Sequence, residues 1–383
     1  MSTAVSILVA ALGIGFLILA HEFGHFIVAK VTGMRVEEFS LGFGRYVWSR
    51  RVGETIYGVS IVPLGGYVRV TGMHEEEFSE RVKAAEEGRR TASRDPEARL
   101  IGASAISDEE IAATPVNRRY YSHPVWQRIL FIIAGVSMNV VAAFVLMTVV
   151  GLQGYFEPNL VVDRVEAGSA AAAAGMETGD RVLSIAGVEA KTWSDVQEAI
   201  WTRPGEQVMV RVDRAGRTLE LDAVLGERED GGGILGVAPG GEMVHPGPLR
   251  AVSFGFTQTG GLFAMTFQGL AMMFTGEAPV TGSEGLAGPV GIVSVSSAAF
   301  RGGYFMSFLA FISVQLAILN MLPLLPLDGG HVLFSLIEKL MGRAVSLRTF
   351  ERVSAVGITL FLLLMLVATG NDITRVFGGG LGF

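Results

Sequence analysis

Four long apolar runs constrain the fold of this chain more than any other feature of its sequence. They cover Thr3 to Ala20 with a continuation to Lys30, about Trp126 to Leu152, Tyr304 to about Leu327, and Val353 to Thr369. Each approaches the roughly 20 residues with which a helix crosses the hydrocarbon of a bilayer. Of the 383 residues, 50% are hydrophobic and only 17% are charged, against about a quarter in soluble proteins. The sequence predicts a polytopic α-helical membrane protein with four transmembrane helices.

Charge and cysteine content exclude several functional classes. The net charge is −7 and the chain has no basic stripe, which argues against nucleic acid as a partner. The absence of cysteine excludes disulfides and thiolate metal ligands. No Lys or Arg precedes Lys30, so the first run lacks the basic start of a signal peptide and is interpreted as a retained span.

Basic residues near the ends of the runs predict the topology, because positive charge collects on the cytoplasmic side. They follow the first run, open the second, and separate the third from the fourth: Lys30, Arg35, Arg118, Arg119, Arg128, Lys339, Arg343, Arg348 and Arg352. We therefore expect an extracytoplasmic N-terminus and an extracytoplasmic stretch at 153–303.

The other segments predict one sheet beside the membrane and one soluble domain. Short strands at 34–74 indicate a membrane-associated β region on the cytoplasmic side, and 157–240 reads as a soluble domain. Residues 75–122 are a charged cytoplasmic loop, of which 75–115 has the composition of a solvated, partly disordered segment. The remaining boundaries are 1–33, 123–152, 304–338 and 353–370 for the transmembrane helices, 241–303 for an extracytoplasmic linker with an amphipathic helix, 339–352 for a cytoplasmic loop, and 371–383 for an extracytoplasmic tail.

The stretch HEFGH lies inside the first apolar run. Residues four apart share one face of a helix, so His21 and His25 can direct their imidazoles at one metal ion. Glu22 is displaced by about 100° and flanks the ion without binding it, the arrangement of the zinc-binding HExxH motif. A polar packing cluster is the alternative. It is disfavoured because an ionisable group at a membrane-helix centre costs on the order of 2.5–3.5 kcal/mol.

A catalytic zinc site usually has a third protein ligand. Asp328 is the only carboxylate of the third run, and the predicted topology brings it to the depth of the HEFGH stretch. A fifth span at 254–274 is the alternative topology. It would invert the third run and place Asp328 at the membrane face opposite His21, so the chemistry favours four spans.

Two prolines, Pro323 and Pro326, are expected to break the third helix before Asp328. Backbone freed in this way is tolerated in a membrane where it lines a wet cavity or is buried in protein. Asn320 has two equally weighted roles, a hydrogen bond to a substrate carbonyl or to the broken backbone. The other histidines are not expected to bind the metal: His331 is assigned a supporting role, and His74, His123 and His245 are interpreted as surface residues.

These motifs together resemble a known family. HEFGH, the segment NMLPLLPLDGGH and a soluble domain between the second and third runs resemble the site-2 protease family of intramembrane zinc metalloproteases, in its bacterial RseP-like type (regulator of sigma-E protease). Further matching stretches are LGFGRYVWSRRVGETIYGVSIVPLGGYVRVTGM, FIIAGVSMNVVAAF and GLAGPVGIV. Val136 stands where the family often has proline, whereas Asn139 is kept.

The resemblance implies a set of site residues. His21, His25 and Asp328 would bind Zn²⁺, and Glu22 would be the general acid/base. Substrate would be contacted by Asn320 and by the sheet residues Gly65, Gly66 and Tyr67, through β-strand addition near the active site. Residues 157–240 would form one extracytoplasmic PDZ domain, which either binds new C-termini or screens bulky ectodomains.

The activity that the resemblance implies is hydrolysis of a peptide bond inside the transmembrane segment of a single-span membrane protein, after another protease has shortened it. Anti-sigma factors and remnant signal peptides are the expected substrates. The expected location is the lipid of the bacterial inner membrane, with the active site near the cytoplasmic face. Two other classes compete. A PDZ-bearing scaffold with a decayed site conflicts with the presence of all four site residues, and an ion transporter conflicts with the lack of carboxylates in the second and fourth runs.

Overall fold

The apolar runs form long helices, and the segments between them supply the strands. The structure is a computed structural model that describes residues 3–73, 78–79, 82–83, 106–228, 231–276, 279–282, 285–342 and 345–377. The helices are α1 (Thr3–Thr32), α2 (Asp108–Ala112), α3 (Val125–Gln153), α4 (Ala170–Ala173), α5 (Trp193–Trp201), α6 (Pro248–Thr275), α7 (Pro289–Arg301), α8 (Phe305–Met321), α9 (Asp328–Met341) and α10 (Leu347–Phe377). The strands are β1 (Val36–Val52), β2 (Thr55–Val70), β3 (Tyr155–Val165), β4 (Arg181–Ile185), β5 (Val188–Glu189), β6 (Gln207–Arg214), β7 (Arg217–Val224), β8 (Gly226–Glu227), β9 (Gly233–Ile234) and β10 (Val237–Val244).

The chain divides into a helical unit, residues 1–149 with 253–383, and a strand-rich unit, residues 150–252. Among the described residues, three helices are long and apolar enough to cross a membrane, over Leu8–Thr32, Val125–Gln153 and Arg348–Arg375. The fourth apolar helix, α8, has 17 residues and is about 26 Å long, somewhat short of a roughly 30 Å hydrocarbon layer. The helical membrane type of the fold is thus confirmed, and the count of four spans stays a prediction.

The segment predicted as one transmembrane helix at 304–338 consists of two helices. Helix α8 ends at Met321, and α9 begins at Asp328. Both prolines lie in the break. No proline follows Pro326, so nothing of that kind interrupts the helix that begins at Asp328. A Cβ at Gly329 or Gly330 would meet the backbone of residues 321–325, so the two glycines let α9 begin tightly against the break.

The strands predicted at 34–74 join into one hairpin of two long strands, β1 and β2. Gly42, Gly44 and Gly65 have positive φ, which bends the strands so that the hairpin folds back on itself. Residues 38–41 consequently have Cα partners both in 56–59 and in 66–69. The segment 66–70 lies at an outer edge, and no other described strand pairs with its free side.

One face of the hairpin packs against α1. The ring of Phe26 lies 5.0 Å from that of Phe39 and 5.8 Å from that of Tyr57, centroid to centroid. Such aromatic pairs contribute about 0.5–1.5 kcal/mol each beyond the area they bury. This packing fixes the hairpin beside the HEFGH helix.

A polar cluster at the turn of the hairpin holds the same arrangement. Glu54 accepts hydrogen bonds from Lys30 Nζ at 2.9 Å and from Arg118 Nη1 at 2.8 Å. The Arg118 guanidinium and the Lys30 ammonium lower the pKa of Glu54 to about 2. The carboxylate therefore ties the end of α1, the hairpin and the turn at 116–118 together.

The segment 75–115, predicted as a solvated and partly disordered loop, is folded over its last residues. Helix α2 is capped by the Ser107 side chain, and Glu110 pairs with Arg35 at 3.2 Å and with Arg51. The order at 106–115 could not be read from the local composition, because it depends on ion pairs with residues far away in the sequence. Most of the rest of this loop lies outside the described residues.

The linker predicted at 241–303 contains one long helix, α6, and the shorter α7. Helix α6 has 28 residues, and its Leu262 and Phe263 pack against a cluster that includes Ala143 of α3 and Ala310 of α8. Gln315 Nε2 of α8 donates a 2.7 Å hydrogen bond to Thr266 Oγ1. The helix thus packs on two apolar helices, and its place relative to the bilayer stays a prediction.

The strand-rich unit contains the segment predicted as a soluble domain. Its main sheet has the order β10-β3-β4-β6-β7, with β5 against β4, and β8 pairs with β9. Alternate residues of β6, namely Val208, Val210 and Val212, are buried and face a core that includes Val196 and Ile200 of α5. Nearby, the buried carboxylate of Asp180 accepts hydrogen bonds from Arg214 at 2.7 and 2.8 Å, and this pairing lowers the pKa of Asp180.

Candidate metal centre

Three helices meet around the HEFGH stretch. Helix α1 carries His21 and His25 one turn apart on one face, and residues 131–139 of α3 pass beside them. Helix α9 begins at Asp328, which places this carboxylate in its first turn. In the described part of the chain, His21, His25 and Asp328 form the one group of His, Cys, Asp or Glu side chains that could hold a metal ion.

The three ligand atoms form a nearly equilateral triangle. His21 Nε2 lies 3.2 Å from His25 Nε2 and 3.2 Å from Asp328 Oδ2, and His25 Nε2 lies 3.4 Å from Asp328 Oδ2. Zinc binds nitrogen and oxygen at about 2.0–2.1 Å in a tetrahedron, so its ligands lie roughly 3.3 Å apart. The triangle therefore fits a zinc ion with three protein ligands and one open position.

Two further observations fit a metal ion. Asp328 Oδ2 is buried without a hydrogen-bond partner among the described residues, and such an oxygen costs on the order of 1–3 kcal/mol when nothing binds it. A Cβ at Gly135 of α3 would meet His25 Nε2 and His21 Cε1. Only glycine at this position leaves room beside the two rings.

The second nitrogen of each imidazole faces α3. His25 Nδ1 lies 2.8 Å from the carbonyl oxygen of Phe131, which can only accept, so His25 Nδ1 carries the proton. The lone pair of its Nε2 is then free for a metal. His21 Nδ1 lies 3.2 Å from the side-chain amide of Asn139, which is fully buried.

Glu22 lies beside the triangle and contacts the hairpin. Its side chain is half-buried. A Cβ at Gly66 would lie 2.9 Å from Glu22 Cγ and 2.9 Å from the carbonyl oxygen of Ser40. The outer edge of β2 therefore runs directly past the Glu22 carboxylate.

The four residues predicted to contact substrate have different neighbours in the structure. Gly66 lies at Glu22, whereas Gly65 has a φ of 111° and lies against the ring of Phe43. The Tyr67 hydroxyl donates a 2.7 Å hydrogen bond to Glu38, within the hairpin. Asn320 is half-buried in the last turn of α8. Their roles toward a substrate stay predictions.

The tyrosine hydroxyls of the hairpin are permanent donors. Burial and the nearby Glu38 carboxylate raise the pKa of Tyr46 to about 12, and the same causes raise the pKa of Tyr67. The two hydroxyls lie 2.8 Å apart and both contact Glu38. Because they stay protonated at neutral pH, this network holds the segment next to Gly66 in place.

The remaining histidines lie apart from the triangle. The ring of His331 lies 5.6 Å from that of Phe350, and His245 is exposed. His123 was predicted at the surface and is buried instead, with Nδ1 2.7 Å from Gln127 Oε1. The stretch NRRYYS that precedes it made the local sequence polar and concealed this burial. His74 lies outside the described residues.

The contacts that α3 makes with the two imidazoles were not predicted from the sequence. Asn139, Gly135 and the carbonyl of Phe131 contact the imidazoles, but none is a metal ligand by residue type. The signal available was the stretch GVSMN, which places a glycine and an asparagine four apart on one helix face.

Comparison with known proteins gives one family over most of the chain. The model of peptidase family M50 matches residues 9–364. The regulator of sigma-W protease RasP of Bacillus subtilis is 30% identical over 95% of this chain and 97% of its own. A putative zinc metalloprotease of Clostridium perfringens is 32% identical over 96% of this chain and 98% of its own.

Among solved structures, the PDZ domain of the SdrC-like protein from Listeria monocytogenes is similar to part of the chain. It is 19% identical, covers 21% of this chain and 87% of its own, and aligns with a TM-score of 0.20.

Proposed function

The chain belongs to peptidase family M50, the site-2 protease family, and is a zinc metalloprotease of the membrane; from this premise we propose that it cleaves a peptide bond inside the transmembrane segment of a single-span membrane protein. The observation that carries the proposal is the convergence of His21 Nε2, His25 Nε2 and Asp328 Oδ2 beside apolar helices.

Each site residue has one role in this proposal. His21, His25 and Asp328 hold the zinc ion, which when bound lowers the pKa of a water molecule to about 7 and polarises the scissile carbonyl. Glu22, which lies against Gly66 of β2, takes the proton of the attacking water and delivers it to the leaving nitrogen. Asn320 donates a hydrogen bond to the substrate backbone.

The hairpin binds the substrate as an added strand. A helical peptide bond is inaccessible, so the substrate must be extended where it is cut. The free edge at 66–70 offers main-chain hydrogen bonds to such a strand, and Gly66 brings this edge to Glu22. Gly65 and Tyr67 fix the path of that edge, by the positive φ of the glycine and the Glu38 hydrogen bond of the tyrosine.

The substrate class follows from the relatives. The similar Bacillus subtilis protein is a regulator of sigma-W protease, which favours a membrane-bound anti-sigma factor as substrate here, shortened beforehand by another protease. The strand-rich unit acts as an extracytoplasmic PDZ domain, and the site lies near the cytoplasmic face of the bacterial inner membrane. This topology is supported by the basic residues that cluster at the inner ends of the apolar runs.

The test measures zinc content and cleavage of a model single-span substrate with the full chain in detergent. Wild type should hold about one zinc ion and cleave. Asp328→Ala should bind zinc at least about tenfold more weakly and lose cleavage, because a ligand is gone. Glu22→Gln should keep zinc and lose cleavage, because only the proton carrier is gone.

A matched control is Glu351→Gln, which removes an exposed carboxylate of α10 and should leave both properties unchanged. Folded wild type without zinc or cleavage would refute the proposal. A Glu22→Gln variant that cleaves at the wild-type rate would refute the role of Glu22.

A further inference from the structure

The side chain of Asn139 carries an unexplained feature. It is fully buried in α3, and its amide nitrogen Nδ2 lies 3.2 Å from His21 Nδ1. Its oxygen Oδ1 is buried with no hydrogen-bond partner among the described residues. Buried polar atoms without partners are rare in native proteins, and each calls for a physical reason.

Zinc binding determines which amide atom belongs beside His21. His21 Nε2 is the atom within 3.2 Å of both other ligand atoms, so ligation through Nε2 leaves the proton on Nδ1. An Nδ1–H group and an NH₂ group are both donors and cannot bond to each other. Amide oxygen and nitrogen are assigned from their hydrogen bonds, and a half-turn of the amide places Oδ1 where it accepts from Nδ1–H.

The other imidazole of the site, that of His25, already has the kind of hydrogen bond expected for His21. Its Nδ1 is held by an acceptor of α3, the carbonyl oxygen of Phe131 at 2.8 Å. Phe131 and Asn139 are eight residues apart, about two helical turns. One helix would thus supply one acceptor to each metal-binding imidazole.

We propose that Asn139 is a positioning residue, which accepts a hydrogen bond from His21 Nδ1–H through Oδ1 and fixes the imidazole for zinc. The inference rests on the proposed ligation of zinc by His21. The backbone at Asn139 is itself held, because Ser313 Oγ of α8 donates a 2.8 Å hydrogen bond to its carbonyl oxygen. Loss of a partner that orients a metal-binding histidine typically lowers metal affinity about 10–100-fold.

The experiment compares Asn139→Leu with Asn139→Asp in the full chain in detergent. Both keep the approximate size of the side chain, but leucine offers no acceptor and aspartate offers a carboxylate oxygen that can only accept. Zinc affinity is measured by competition with a chelator. The absorption spectrum of the Co²⁺-loaded protein reports ligand geometry independently of activity.

The proposal predicts opposite results for the two variants. Asn139→Leu should bind zinc about 10–100-fold more weakly and shift the Co²⁺ spectrum. Asn139→Asp should bind zinc within about threefold of wild type, or more tightly, and keep the spectrum. Equal weakening in both variants would overturn the proposal, because it would mean that the amide donates or only fills space. Wild-type affinity in Asn139→Leu would also overturn it.

Two controls separate this test from stability and from the function proposed above. Ser313→Ala removes the hydroxyl that holds the Asn139 backbone without touching His21, and should lower zinc affinity less than Asn139→Leu does. Thermal unfolding of the zinc-free variants detects misfolding. Asn139→Ala replaces Asn139→Leu if that variant fails to fold, because alanine also offers no acceptor, and Asn139→Gln replaces Asn139→Asp, because its amide oxygen accepts. Failure of wild type to bind zinc would refute the metal site itself, whereas a zinc-binding wild type with the wrong variant pattern refutes only the role of Asn139.

Discussion

At the scale of single residues, the metal site depends on the absence of a side chain at Gly135. Gly135 lies where a Cβ would meet both imidazoles, so replacement with alanine forces the rings apart. We expect Gly135→Ala to lower zinc affinity at least about tenfold and to reduce cleavage in proportion, since misplacing a metal-binding imidazole acts like losing its orienting partner. Zinc competition with a chelator, together with a cleavage assay, measures both effects.

The matched control is Gly15→Ala in α1, because a Cβ at Gly15 meets nothing within 4 Å. Alanine is also the better helix former, so Gly15→Ala should be neutral or slightly stabilising. Full zinc affinity in Gly135→Ala would show that the rings do not need this space.

Some residues of the site can be predicted from the sequence and others cannot. His21, Glu22 and His25 were predicted from the spacing of the HExxH motif, and Asp328 from its depth in the predicted topology. The structure brings His21, His25 and Asp328 together, and their roles stay predictions. Asn139 and Gly135 act on the ligands and not on the metal, and such a role is defined by the distance between α1 and α3. No local pattern encodes that distance.

At the scale of elements, we expect a change at the outer edge of β2 to affect substrate cleavage without affecting metal binding. Gly66→Ala would place a methyl group against Glu22 Cγ and the Ser40 carbonyl oxygen. We expect cleavage to fall at least about tenfold with zinc affinity unchanged, because the variant disturbs the proton carrier and the added strand and leaves the ligands in place.

Val47→Ala serves as the control for this change, since Val47 is an exposed side chain of β1. It should alter cleavage by less than about twofold. Loss of zinc in Gly66→Ala would instead mean that the hairpin shapes the metal site directly.

Element type was more predictable than element boundaries. The sequence offers two residue pairs with the spacing of a capping box, Ser194 with Gln197 and Thr192 with Asp195, and the structure begins α5 after Thr192 with the second pair. Both spacings satisfy the local pattern, and the burial of Trp193 and Val196 selects one of them. Likewise, prolines mark the break before Asp328, but packing decides that a second helix starts there.

At the scale of the whole molecule, ion pairs between distant segments hold the helical unit together and make its stability depend on pH. The folded-state pKa of Glu54, about 2, lies below its ordinary value of 4.5. Its contribution is therefore present above about pH 4.5 and is lost as the pH falls toward 2. Because the pair is partly exposed, we expect a loss on the order of 1–2 kcal/mol.

Hydrogen exchange of the hairpin amides in detergent, followed from pH 5 to pH 3, measures this loss after correction for the intrinsic exchange rate. Glu54→Gln should flatten the dependence, because it cannot titrate. Equal pH dependence in the variant would assign the effect to other carboxylates.

The large-scale arrangement was predicted where local signals are strong. Apolar runs identify the long helices. The alternation of apolar and polar residues identifies the hairpin that β6 and β7 form in the strand-rich unit. The packing of α6 on α3 and α8, and the folding of 106–115 through Arg35 and Arg51, depend on contacts between residues far apart in sequence.

The distribution of the proposed ligands along the chain has a consequence for biosynthesis. Both histidines are synthesised before Asp328, which follows His25 by 303 positions. At about 5–20 residues per second, the ribosome needs roughly 15–60 s to reach the aspartate. During that interval the nascent chain holds two of its three ligands, and the break that carries the third has not yet entered the membrane. Under the proposed ligation, the enzyme is thus synthesised without a complete active site, and proteolysis begins only after Asp328 has been inserted.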